Sequence, residues 1–239
     1  MTDFWRVGMG LRAAFLLVLV CAGVQRVPAQ QGDGAAILAR VDAAVRARLD
    51  GIEGYTATEH YAVFRNKDGV HPVAEMTVKT TYKRETGKYY EIVSESGSSL
   101  IRSLVLHAIL DNEKHVNEPG VREGAWLTTA NYQMTVKPSG VQKVNGRDCV
   151  AVNLMPRRKE PYLLEGTEWV DVRDGEIVRI EGKAAKSSSV FTGETRMLRD
   201  YANVDGFAQA TRAHAESGSF LFGPTVVTID YLDYQIQRR

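Results

Sequence analysis

The sequence lacks the residue patterns that are typical of disulfide-rich folds, metal sites and common active sites. Two cysteines among 239 residues exclude a disulfide scaffold. None of the five histidines forms a His-x-His or His-Glu-x-x-His pair, so the spacing gives no support to a zinc site. Glycine-rich phosphate loops and the Gly-x-Ser-x-Gly and Ser-x-x-Lys nucleophile motifs are absent as well. We therefore expect no enzyme, no catalytic residues, no metal and no cofactor.

The chain also lacks an excess of charge of either sign. Its formal net charge is +1, with 25% charged and 44% hydrophobic residues, as in an ordinary globular protein. Residues 1–29 hold three arginines and one aspartate, so the remainder of the chain carries −1. Without a strongly positive field we expect no nucleic-acid partner.

No apolar run is long enough to span a membrane. The uncharged run from Ala13 to Val24 is 12 residues long, whereas a spanning helix needs about 20. It follows the basic residues Arg6 and Arg12 and precedes Val27-Pro28-Ala29, an order typical of a signal peptide. We predict that residues 1–29 are removed after Ala29 and that the protein is exported to the periplasm of a two-membrane bacterium. An uncleaved membrane anchor and a lipidated Cys21 are the alternatives.

The second cysteine then has no partner in its own chain. Cys149 is followed by Val150, Ala151 and Val152, a pattern typical of a buried strand. We predict a buried, unreactive thiol.

Two segments have apolar residues at helical spacing. Ile37, Leu38, Val41, Val45 and Leu49 predict an amphipathic helix over about 34–50. A second stripe predicts a helix over about 99–113, and it consists of Leu100, Ile101, Leu104, Val105, Ala108 and Ile109. Residues 122–130, which carry Trp126, are ambiguous between a short helix and a loop.

The rest of the chain alternates as strands do. Three strands are predicted over 55–65, 73–84 and 88–95, and a longer series runs from residue 132 to the end. Its predicted turns include Asn145-Gly146, Asp205-Gly206 and Pro138-Ser139-Gly140, the last between strands over 132–137 and 141–144. We count about ten or eleven strands and two or three helices. A series this long must curl or close. The predicted fold is therefore mainly β (α+β), a large curved antiparallel sheet or half-open β-barrel with helices in its concavity, in one domain over 30–239.

The order of these elements and three segments of the C-terminal half resemble the periplasmic lipoprotein carriers, the LolA/LolB-like superfamily with its outer-membrane lipoprotein-sorting proteins. The segments are Glu168-Trp169-Val170-Asp171, then 175–181, then Tyr201-Ala202-Asn203-Val204-Asp205-Gly206-Phe207. As architecture the resemblance covers roughly residues 34–236. It implies a monomeric, non-enzymatic module that binds lipid or lipoprotein acyl chains in lipoprotein sorting or envelope maintenance. An outer-membrane or envelope protein is the partner that the resemblance suggests. The alternative is a protein-interaction or envelope-stress sensor module of the same fold.

Candidate ligand-binding residues follow from the physics of a carrier. An acyl chain in water needs a dry cavity, and the apolar 99–113 helix could cover one against the concave face of the sheet. The candidate lining residues are Leu100, Leu104, Val105, Ala108, Trp126, Leu127 and Trp169. The same stripe could equally be ordinary core. Phe220, Leu221 and Phe222 form an apolar cluster that either contacts lipid or a partner, or folds back onto the sheet.

Overall fold

The chain is built around one antiparallel sheet. The computed structural model describes residues 29–66, 68–186, 192–219 and 223–239. The helical segments are α1 (Ala29–Gly51), α2 (Ser99–Ile101), a π-helical segment (Arg102–His107), α3 (Ala108–Val116) and α4 (Arg122–Ala125). The strands are β1 (Ile52–Arg65), β2 (Ala74–Lys83), β3 (Gly87–Gly97), β4 (Tyr132–Val144), β5 (Arg147–Pro156), β6 (Leu164–Asp171), β7 (Ile177–Ala184), β8 (Thr192–Val204), β9 (Phe207–Ser219) and β10 (Gly223–Arg238). Within the described ranges, no helix is both long and apolar enough to cross a membrane.

The sheet has 10 strands in the order β3-β2-β1-β10-β9-β8-β7-β6-β5-β4. The chain runs outward from β1 to the edge strand β3, crosses through the helices to the opposite edge at β4, and returns as a meander to β10. The first and last strands are therefore neighbours, and the described strands form a curved, unclosed sheet. This confirms the predicted fold class.

The predicted hairpin turns match the backbone. Asn145 and Gly146 have φ of 49° and 80°, and Asp205 and Gly206 have φ of 50° and 85°, which is the left-handed region that tight hairpin turns require. The segment 138–140, predicted as a turn between two strands, instead lies inside β4. There the register with β5 shifts between Val136 and Val141, so what the sequence predicted as two strands is one bulged edge strand.

One face of the sheet carries both helical layers. Directly paired residues share a face, and one cross-strand row contains Tyr61, Ile229, Ala213, Arg199, Ile180, Glu168 and Val152. At one end of this row, Tyr61 and Ile229 pack in a cluster with residues of the 99–116 segment. At the other end, Val152 packs against Val41 of α1. Both layers thus lie on the concave face, α1 over the β4–β7 half and the 99–116 segment over the β1–β3 half.

The 99–116 segment, called the crossover helix below, buries a different side from the one predicted. Leu100 and Leu104 are 58% and 52% exposed, and Ala108 is exposed too. The buried side chains are Ile101, Leu106 and Leu110. The predicted single stripe is therefore wrong for Leu100, Leu104 and Ala108.

The π-helical segment explains this change of side. Its hydrogen bonds close wider turns than those of an α-helix, so a residue five positions along the chain returns to the same face. Ile101 and Leu106 have this spacing, and the α-helical spacing of four resumes from Leu106 to Leu110. A regular α-helical stripe continued through residues 102–107 therefore misassigns the buried face.

Candidate functional site: a pocket between the helices

A pocket of about 120 Å³ lies where α1, the end of α3 and α4 meet the sheet. It is lined by Arg48, Leu49, Ile52, Tyr55, Tyr82, Val116, Asn117, Arg122, Ala125 and Trp126. The rings of Tyr55 and Tyr82 stack on adjacent strands, with centroids 5.1 Å apart. The pocket thus combines aromatic and apolar walls with two guanidinium groups.

Local sequence brings these elements together. The chain passes from α1 into β1 without a loop, so Arg48 and Leu49 stand beside Ile52. The end of α3 lies against the turn between β2 and β3, where Gly87 has φ of 86° and a Cβ would stand 2.6 Å from the carbonyl oxygen of Asn117. Only glycine combines that backbone conformation with so close an approach.

Hydrogen bonds fix both arginines. Arg48 donates from Nε to the carbonyl of Ala208 over 2.9 Å and from Nη2 to Oε1 of the buried Gln209 over 3.1 Å. Arg122 donates from Nη1 to the Tyr82 hydroxyl over 3.1 Å and also to the Arg84 carbonyl. The two side chains therefore tie the helices to strands on either side of the pocket.

Beneath the crossover helix lies a buried charge cluster, which we call the Glu113 clamp and define as Lys88, Glu113 and Arg199. Lys88 Nζ lies 3.1 Å from Glu113 Oε2, and Arg199 Nη2 lies 3.1 Å from Glu113 Oε1. Burial alone would raise the pKa of Glu113, but Lys88 and Arg199 outweigh it and lower this pKa to about 2. Glu113 therefore stays ionised and joins α3 to β3 and to β8.

Lys88 also forms an ion pair with a second acid, Glu59. Glu59, 1% exposed on β1, lies 3.8 Å from Lys88 Nζ and accepts a hydrogen bond from the Tyr61 hydroxyl. Lys88 itself is 8% exposed. The buried Glu59 and Lys88 thus lie beside the partly buried Glu113 and Arg199, so two acids face two bases beneath the crossover helix.

Glu168 is a buried carboxylate of a different kind. It is 0% exposed, and neither carboxylate oxygen has a hydrogen-bond partner in the described part of the chain. Burial raises its pKa to about 8, and the nearby Asp42 adds to the increase. In the cross-strand row only Ile180 separates Glu168 from Arg199, whose Nε also lacks a partner among the described residues. At neutral pH Glu168 is mostly protonated.

The structure does not bring the predicted lining residues together. Trp126 lines the pocket, whereas Leu127 packs with Tyr132, Leu154 and Leu163. Val105 is half-buried in the cluster under the crossover helix. Leu100, Leu104 and Ala108 face solvent, as described above.

Trp169 lies on the opposite face of the sheet. It adjoins Glu168 and Val170 in β6, whose side chains face α1, and successive strand residues point to opposite faces. It packs there with Cys149, which is fully buried as predicted. The predicted cluster Phe220, Leu221 and Phe222 lies outside the described residues.

Sequence reasoning missed the arginines and the buried acids. One signal was available: Tyr55, Ala57, Glu59, Tyr61 and Val63 alternate in β1, so Glu59 occupies an inward position in an apolar strand. No local signal marks Arg48, because its acceptors lie 160 residues along the chain. Among the described residues, no three His, Cys, Asp or Glu side chains converge as metal ligands.

Comparison with known proteins finds likenesses of structure. No family model matches the sequence, and no curated protein sequence matches it. Among solved structures, a LolA superfamily protein from Nitrosomonas europaea matches at 12% identity and a TM-score of 0.43, covering 85% of this chain and 93% of that one. An outer membrane lipoprotein-sorting protein domain from Vibrio parahaemolyticus matches at 14% identity and a TM-score of 0.44, covering 86% and 93%.

A third solved structure contains two proteins. The MucA/MucB complex of Pseudomonas aeruginosa matches at 10% identity and a TM-score of 0.28, covering 84% of this chain and 99% of that one. Two of these three matches bear names from the superfamily that the sequence resembles, and each covers most of this chain. At these identities and TM-scores the matches carry no conclusion about function, which has to be inferred from this chain's own residues.

Proposed function

We propose that this protein is a non-catalytic lipid-binding module that takes an acyl chain between its helices and the concave face of its sheet, in lipoprotein sorting or envelope maintenance. The observation that carries the proposal is the pocket lined by Tyr55, Tyr82 and Trp126. It lies at the junction of two helical layers that pack on separate halves of the sheet. A ligand entering there can separate these layers without breaking the sheet.

The pocket sets a size limit while the helices are in place. Its 120 Å³ is comparable with a cavity of about 150 Å³ that accepts benzene. The tip of an acyl chain fits such a space, whereas a long chain requires the crossover helix to move away from the sheet. The function we propose is therefore binding coupled to displacement of this helix.

The Lys88–Glu113 ion pair alone does not prevent that displacement. Burying ten methylene groups contributes roughly 8 kcal/mol, at about 0.8 kcal/mol each. Breaking a buried ion pair such as Lys88–Glu113 costs about 3–5 kcal/mol. The gain from ten methylene groups exceeds the cost of breaking this ion pair, whereas the gain from four or five, roughly 3–4 kcal/mol, does no more than match it.

Quenching of tryptophan fluorescence by a brominated fatty acid tests the proposal. Trp126 lines the pocket and Trp169 lies on the other face of the sheet. We expect a saturable quench that is lost in Trp126→Phe and kept in Trp169→Phe. Mass spectrometry of lipid that co-purifies with the mature protein would identify the natural ligand. Absence of any saturable binding would reject the lipid-binding function.

The proposed setting is the periplasm. The basic start, the 12-residue apolar run and Val27-Pro28-Ala29 support export with cleavage after Ala29. N-terminal sequencing of the exported protein decides this. An intact Met1 on a membrane-embedded product would contradict it.

A second candidate, a protein-interaction or sensor module, is favoured by one observation. Ile92 and Val93 on the edge strand β3 and Leu100 and Leu104 on the helix that follows are all exposed. Exposed apolar patches beside a free strand edge are typical of partner surfaces. A photo-crosslinking residue at position 104 would then give a discrete adduct with an envelope protein, in a chain that takes up no fatty acid.

A further inference from the structure

The pocket carries positive charge that no lining carboxylate offsets. Its charged lining residues are Arg48 and Arg122, and the others are apolar, aromatic, or, in Asn117, an amide. Arg122 Nε lies 3.0 Å from Glu123 Oε1, which offsets part of its charge. Arg48 forms no ion pair within the part of the chain that the structure describes. At least one guanidinium charge at the pocket is therefore uncompensated.

The charges beneath the pocket do not supply the missing anion. Glu59 and Glu113 are matched by Lys88 and Arg199 in the cluster under the crossover helix. These four charges balance, so they leave the field of Arg48 in place. An anion in the pocket would therefore meet two guanidinium groups and no carboxylate among the lining residues.

Each arginine also has a nitrogen to spare. Arg48 uses Nε and Nη2, and Arg122 uses Nε and Nη1. Arg48 Nη1 and Arg122 Nη2 therefore have no protein acceptor among the described residues, and neither is one of the buried unpaired atoms. A guanidinium group held by its other N–H groups presents the remaining ones with little loss of side-chain freedom.

We propose that this pocket binds the anionic head of a single-chain amphiphile, placing a carboxylate or phosphate oxygen between Arg48 and Arg122. The first carbons of the tail then contact Tyr55, Tyr82 and Trp126. The inference rests on the lipid-binding function proposed above and names the ligand class within it, ionised single-chain amphiphiles in preference to neutral ones. Guanidinium groups suit both kinds of head because their N–H groups match carboxylate and phosphate oxygens.

Four probes with the same twelve-carbon tail test the head group on the full mature chain. They are dodecanoate, dodecyl phosphate, dodecanol and dodecylamine, each titrated below its micelle concentration and followed by calorimetry. We expect at least one anion to bind about tenfold or more tightly than dodecanol, the order of effect of hydrogen bonds to a charged group. Dodecylamine should bind most weakly. Whichever anion binds more tightly identifies the head as carboxylate or phosphate.

Substitutions of the two pocket arginines test whether the preference for an anionic head arises in this pocket. In Arg48→Gln and in Arg122→Gln, the ratio of anion affinity to dodecanol affinity, measured on the same variant, should fall about tenfold. The matched control is Arg46→Gln, an exposed arginine on the same helix that does not line the pocket. It removes the same charge and should keep the preference. Circular dichroism shows whether each variant folds, and the four-probe comparison on the unmodified chain decides the question even where one does not.

The outcomes separate the two proposals. Equal binding of anion and dodecanol overturns the head-group inference and leaves the lipid-binding function standing. Loss of the preference in Arg46→Gln as well overturns the assignment to this pocket. No binding of any probe overturns the lipid-binding function itself.

Discussion

Glu168 is a charged residue type in an environment that offers its carboxylate neither solvent nor a hydrogen-bond partner among the described residues. It lies in the segment that carried the family resemblance, yet it is an acid at a fully buried, inward-facing strand position without a partner among the described residues. The folded protein therefore holds a proton that the unfolded chain releases. Each pH unit between the two pKa values costs about 1.4 kcal/mol of folding free energy.

We predict that the stability of the protein falls as the pH rises from about 5 to 8. The sign follows from the pKa of about 8 in the folded state, which is above the ordinary glutamate value, so the favourable neutral form is lost as pH rises through it. Glu168→Gln should remove most of this slope. Urea unfolding at several pH values measures it, with Glu165→Gln, exposed on the same strand, as the control. An unchanged slope in Glu168→Gln would contradict the prediction.

Cys149 should resist thiol reagents in the native state. It is fully buried, and burial raises the pKa of its thiol, so little thiolate is present at neutral pH. We expect labelling by a chromogenic disulfide only as fast as the protein unfolds. A cysteine placed at the exposed Ser103 should react at once. Rapid native labelling at Cys149 would count against the burial.

At the scale of elements, the crossover helix has a buried apolar side and an exposed apolar side, and only the buried side should contribute strongly to the free energy of unfolding. We predict that Leu106→Ala lowers the unfolding free energy by about 2–5 kcal/mol, because it leaves a cavity in the core. Leu104→Ala should change it by less than about 0.5 kcal/mol, because Leu104 is mostly exposed. Urea denaturation of both variants measures the difference. The reverse ranking would show that the helix packs on the side predicted from sequence.

The Glu113 clamp should determine the local stability of α3. Glu113→Gln leaves Lys88 and Arg199 without their shared anion, so we expect a loss of about 3–5 kcal/mol. Amide exchange should accelerate mainly over 108–116. The control is Glu118→Gln, whose exposed pair with His115 contributes little. Uniform acceleration over the whole chain would show that the clamp supports the fold rather than this helix alone.

The strands could be predicted from the sequence, whereas the π-helical turn and the pocket could not. Strand alternation and Asn-Gly or Asp-Gly turns are local, so nearly every strand could be assigned without the structure. The π-helical turn depends on packing of Ile101, Leu106 and Leu110 against the sheet, which no local pattern encodes. The pocket was missed for a related reason: Arg48 and Arg122 acquire their roles from acceptors far along the chain.

At the scale of the whole molecule, β10 joins two parts of the sheet. It pairs with β1 on one side and with β9 on the other. We predict that deletion of residues 223–239 abolishes cooperative unfolding, because it leaves β1 and β9 each with one unpaired edge and divides the apolar cluster under the crossover helix. Circular dichroism and thermal melts measure this. Deletion of 237–239, beyond most of the paired residues, should be tolerated, and a folded chain without β10 would contradict the role assigned to it.

The neighbouring positions of β1 and β10 also bear on when the chain can fold. Among the described strands, β1 is synthesised first and β10 last, yet Tyr61 pairs with Ile229 and Val63 with Val227. The early three-strand meander therefore waits, with one edge unpaired, for almost the entire domain to be synthesised. Contacts of such long separation slow folding, because the entropy of closing the loop is lost before the contacts form. Folding of this domain should be slow and should wait for synthesis of β10, and a chaperone that shields the free edge of β1 should raise its yield.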